Sequence, residues 1–81
     1  MKIAGVTYSF TRGSDVVRDG MFLEADVIDA PGRRTVTEVF YSDRTSQFSV
    51  SCFEEGVAVE LIEHLISEGR RLLPPKQNDE R

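Results

Sequence analysis

The stretch SCFEEGVAVELIEHLISEG carries the chain's single cysteine, Cys52, and twelve positions later its single histidine, His64. A thiol beside an imidazole makes a nucleophile with its base, and both side chains bind transition metals. Nucleophilic use requires contact at hydrogen-bond distance, about 2.6–3.2 Å. Whether these two side chains meet depends on the elements that carry them.

QFSVSCF alternates as a strand does, with Phe48, Val50 and Cys52 on one side and Ser49, Ser51 and Phe53 on the other. Ala58, Leu61, Ile62, Leu65, Ile66, Gly69, Leu72 and Leu73 recur at i, i+3, i+4 and i+7, which predicts an amphipathic helix over residues 57–72. Gly56 breaks the chain before it, Glu54 and Glu55 suit its positive end, Arg70 and Arg71 its last turn, and Pro74-Pro75 its stop. At about 100° per residue the stripe is centred between Leu65 and Gly69, and His64 falls roughly 130° away beside Glu60, Glu63, Ser67 and Arg71. The expectation is a thiol turned inward as a small hydrophobe and an imidazole turned to solvent, with no catalytic pair. Glu60 and Glu68, four residues to either side, should favour the charged form of His64.

Three more strands precede these elements. KIAGVTYSFTR, residues 2–12, sets Ala4, Val6, Tyr8 and Phe10 in one phase. RGSDVVRDG reads as a polar loop, and MFLEADVID alternates Met21, Leu23, Ala25 and Val27 against Phe22, Glu24, Asp26 and Ile28. Pro31-Gly32 predicts a type II turn. RTVTEVFYSD, residues 34–43, is β-branched and aromatic but has no clean phase, and either a bulge near Thr37 to Val39 or partial cover of both faces would reconcile it. The predicted architecture is α+β in two layers: a four-stranded antiparallel meander with one C-terminal helix on one face (ββββα). Residues 1–75 form one domain in this reading, and residues 76–81 a disordered polar tail.

Composition narrows the functions. With 40% hydrophobic and 30% charged residues the chain is globular in type. One cysteine and one histidine complete neither an internal disulfide nor a structural zinc site, so no cofactor or metal is expected. A domain of 81 residues has a small core, and self-association is the remaining means of reinforcing it. The net charge of −4 argues against a phosphate-driven partner such as nucleic acid. The N-terminal MKIAGVTYSF lacks a signal-peptide pattern and no segment is apolar enough to span a membrane, so a cytoplasmic protein is expected. Glycine-rich phosphate loops and the G-x-S-x-G elbow are missing.

Carboxylates offer little chemistry. Glu24 and Asp26 share a phase about 6.6 Å apart on a flat strand, and Asp15 and Asp19 lack EF-hand spacing. Arg33, Arg34 and Arg44 would cluster if two turns approached each other. The sheet face left bare by a single helix is the more informative surface. Phe22, Glu24, Asp26, Ile28, Val39, Tyr41 and Phe53 are assigned to it as the partner-binding set, because their apolar area exceeds what solvent alone explains.

Two outlines share this architecture. Four strands and a helix resemble the small immunity proteins that neutralise bacterial toxins, which implies a non-enzymatic, acidic inhibitor of another protein. They are also similar to a coactivator domain that dimerises and binds single-stranded nucleic acid, although Glu24 and Asp26 stand where that role needs a basic, aromatic groove. The reading is a protein-interaction module without enzymatic activity that binds another protein or a second copy of itself.

Overall fold

The computed structural model describes residues 1–29 and 32–74. Five antiparallel strands, β1 (Lys2–Ile3), β2 (Val6–Asp15), β3 (Gly20–Asp29), β4 (Gly32–Ser42) and β5 (Phe48–Cys52), pair in sequence order and curl into a half-barrel. A helix, α1 (Val59–Leu72), follows and lies over β3 and β4. The α+β meander with a C-terminal helix is as expected, with one strand more. The Pro31 half of the expected turn and the 76–81 tail lie outside the described residues.

The extra strand comes from a reversal inside KIAGVTYSFTR. Ala4 and Gly5 both take positive φ, 51° and 79°, the two-residue geometry that closes a tight hairpin, and Ile3 pairs with Val6. The Met1 ammonium donates to the Tyr8 carbonyl at 3.0 Å, and the Tyr8 amide donates to the Met1 carbonyl at 2.7 Å. Ala4 and Val6 are therefore exposed rather than part of the apolar face. The loop expected over 12–20 also shrinks, because β2 runs to Asp15 and leaves Val16 and Val17 at an exposed tip.

The bulge exists, one residue before the expected span. Ala25 faces Thr37 while Asp26 faces Thr35, so Val36 is the additional residue, and it is buried in the core. This resets the phase of β4. Beyond the bulge, Thr37, Val39 and Tyr41 take the helix side with Ala25, Leu23 and Met21, while Glu38 and Phe40 take the bare side with Glu24 and Phe22.

Leu61, Leu65 and Leu73 from the helical end of the chain are fully buried against Leu23, Ala25, Val27, Val36 and Val39. Burying each large aliphatic side chain contributes about 1.5–3 kcal/mol. Gly69 lets the helix backbone pass close to β4: a Cβ there would lie 2.8 Å from Val39 Cγ1. The helix starts at Ala58 without a side-chain cap; Val57 and Ala58 are held instead by packing against the core.

Candidate functional site

Cys52 and His64 do not meet. By register, Cys52 has the inward phase of β5, opposite Thr37, and its Sγ lies 3.6 Å from Thr37 Oγ1. The thiol is nevertheless exposed, because β5 is an edge strand and the helix lies over β3 and β4. His64 departs from expectation in the opposite sense. It is half-buried, with its ring 5.3 Å from that of Phe10 on β2, since the curl of the sheet carries β2 up against the flank of the helix. β3 and β4 lie between β2 and β5, and among the described residues the thiol's hydrogen-bond partner is Thr37 and not the imidazole, so the two do not form a nucleophile–base pair. Of its expected carboxylate neighbours, Glu68 is held by Arg71, whose Nη2 donates to Oε1 at 2.6 Å and keeps the Glu68 carboxyl below its usual range.

The bare face of the sheet has more organisation than a solvated surface requires. Glu24 on β3 is directly opposite Glu38 on β4, and Asp26 lies two residues along from Glu24. Asp26 and Glu38 are both buried, although no helix of the described residues covers this face. Each has cationic and hydrogen-bonding partners. Arg18, from the β2–β3 loop, donates through Nη1 and Nη2 to the two Glu38 oxygens at 3.0 and 2.8 Å. Its guanidinium also lies 4.2 Å from the centre of the Phe40 ring. The loop is shaped to present it: Asp15 accepts from the amides of Val17 and Arg18, both at 3.1 Å, and from Arg18 Nε at 2.6 Å. These bonds hold the Asp15 carboxyl below its usual range, and those from Arg18 to Glu38 and Asp15 raise the guanidinium above its own. Asp26 accepts from Thr35 Oγ1 at 2.7 Å and faces Arg33 Nε at 3.5 Å.

Glu24 is the exception. It has no ion-pair partner among the described residues, and its carboxyl is pushed up, first by burial and then by the charges of Asp26 and Glu38, with the Thr35 hydroxyl offsetting only a smaller part. The centre of the face thus holds one unmatched carboxylate between two matched ones. No group of three or more His, Cys, Asp or Glu among the described residues is arranged to hold a metal ion.

Of the seven residues assigned to the bare face, Phe22, Glu24, Asp26 and Ile28 are brought there together on β3, and Phe53, just beyond β5, is exposed by 57%. Val39 and Tyr41 are not. The bulge turns them to the helix side, where Val39 is core and Tyr41 packs on Phe48 in a tilted pair with ring centres 5.0 Å apart. Glu38, Phe40 and Arg18 take their places. Arg18 sits in a loop without periodicity, so no pattern points to it, whereas Glu38 stands out in the sequence as a charge inside the β-branched and aromatic run RTVTEVFYSD. The expected arginine cluster does not form. Arg33 and Arg34 begin β4 and Arg44 follows its end, about 30 Å away along the strand. Arg34 is bound by Asp29 and by Glu54, whose Oε1 accepts from Nε at 2.9 Å.

No helix among the described residues is long and apolar enough to cross a membrane. Comparisons with protein-family models, with curated proteins and with solved structures found no match for this chain.

Proposed function

We propose that this chain is a cytoplasmic, non-enzymatic interaction module whose bare sheet face binds a basic protein partner, as an acidic inhibitor of the immunity type would. The unmatched Glu24 carries this reading. Ionised beside Asp26 and Glu38, it gains from any cation brought to it, and a partner lysine or arginine would relieve that repulsion on docking. Phe22, Ile28 and Phe53 supply apolar area around it, and the net charge of −4 steers basic targets towards the molecule.

The single-stranded nucleic-acid reading has less behind it, because Arg18, Arg33 and Arg34 already face carboxylates and are not free to neutralise phosphates. The test is a comparison of immobilised wild type, Glu24→Lys and Phe53→Ser exposed to extract of the source cell. Wild type should retain a basic species that both variants lose. Equal retention by all three, or salt-sensitive capture of a labelled oligonucleotide by wild type, would end the protein-binding reading.

A further inference from the structure

β5 has an open edge whose pattern of hydrogen-bonding groups can be derived. The Ser42 amide donates to the Gln47 carbonyl at 3.0 Å and the Phe53 amide to the Val36 carbonyl at 2.9 Å. In an antiparallel ladder such pairs alternate, so Ser49 and Ser51 also direct their backbone groups to β4. Phe48, Val50 and Cys52 direct their N–H and C=O groups outward, where no strand of the described residues lies.

The strand itself lacks three of the usual protections against pairing. FSVSC contains no charge, no proline and no bulge. At the other side of the sheet, β1 is two residues long with Lys2 in it, and the stretch of β2 beyond it has Arg12 and Asp15. FSVSC is also nearly palindromic about Val50. Reversed, it again places apolar residues at the outer and central positions and serine between them.

We propose that β5 pairs antiparallel with β5 of a second copy of this chain, about a two-fold axis at Val50, to join the two sheets into one. In that register Val50 faces its symmetry mate and Phe48 faces Cys52 of the other copy. Every outward N–H and C=O of the two strands then has a partner. On the helix side Val50, exposed by 42%, meets its equivalent, and on the bare side serine meets serine. The turn containing Arg44 in one copy comes beside the segment containing Glu55 in the other. Both are charges without an ion pair among the described residues. An edge pairing this short is smaller than a standard interface, so the dimer is concentration-dependent. It uses a different surface from the one proposed for the basic partner.

Light scattering across a concentration series should show the mass rise from 9.1 kDa towards twice that value. Val50→Lys places like charges on the axis and should hold the mass at one chain, with its thermal midpoint unchanged at high dilution. Glu24→Lys should still dimerise. A second measurement uses mild oxidation of Val50→Cys in a Cys52→Ser background. Paired Cα atoms lie about 5.5 Å apart there, within disulfide range, so a covalent dimer should form. Wild-type Cys52 lies four residues out of register with its mate, about 13 Å along the strand, and should not cross-link. A mass of one chain up to about 1 mM overturns the proposal. So does a dimer that survives Val50→Lys, or one lost on Glu24→Lys, which would move self-association to the bare face.

Discussion

Arg18 grips Glu38 with both terminal nitrogens, at 3.0 and 2.8 Å, across 20 positions of sequence. The pair ties the β2–β3 loop to the bare face and is the reason a carboxylate can be buried there. Arg18→Ala leaves Glu38 buried without its cation, and the loss should be about 1–3 kcal/mol. Adding Glu38→Gln should recover part of it, since a neutral amide is cheaper to bury. Urea unfolding of the two single variants and the double variant measures the coupling; additive losses would show that the contact is energetically idle.

Gly69 and Val39 set the distance between helix and sheet. With 2.8 Å between a built Cβ and Val39 Cγ1, Gly69→Ala must displace one of the two, at about 1–3 kcal/mol, against a gain in helix propensity of about 0.5–1 kcal/mol. Val39→Ala removes the obstructing methyl groups. The double variant should therefore be more stable than the sum of the two single effects predicts. Thermal unfolding of all four proteins tests this.

Leu65 and Val59 lie on the same helix with opposite exposure. Leu65 is fully buried and Leu65→Ala should cost about 2–5 kcal/mol, whereas Val59 is 63% exposed and Val59→Ala should stay within about 0.5 kcal/mol. Comparable losses from the two substitutions would mean that the helix packs through another face.

Glu24 gives the pH dependence a definite sign. Its folded carboxyl titrates above the unfolded value because burial, Asp26 and Glu38 all disfavour its charge. The stability it contributes is then present below the ordinary value of 4.5 and is lost as pH rises through the folded value. Glu24→Gln should accordingly have the higher melting temperature at pH 7, and the gap should close below about pH 4. A variant less stable than wild type at pH 7 would contradict this account of the site.

Several features of the fold were legible because their causes are local. The leucine and isoleucine spacing from 58 to 73 marks a helix whose buried residues, Leu61, Leu65 and Gly69, are those on the predicted stripe. Met21, Leu23, Ala25 and Val27 alternate along β3 as the period of a strand demands. The Ala4-Gly5 reversal was hidden because apolar alternation continues through the turn, and Ala-Gly is not a pair that announces a hairpin. The place of the bulge was hidden because Val36, Val39 and Tyr41 fit either phase until β3 is laid beside them.

What the sequence determined by itself is the class of the protein: period-two runs followed by one period-3.6 run make strands and then a helix, and a contiguous chain of such strands pairs as a meander. Tertiary structure decided which groups are available for function. Cys52 has the phase of a core residue and His64 that of a surface one, yet the thiol is exposed at a sheet edge and the imidazole rests on Phe10. Periodicity specifies the side of an element on which a residue lies. Whether anything covers that side depends on strand order, curl and the line taken by the helix, and these arise from contacts between distant segments. The same distinction holds on the bare face, where Glu38 gained its role when β4 met β3 and Arg18 folded over β4.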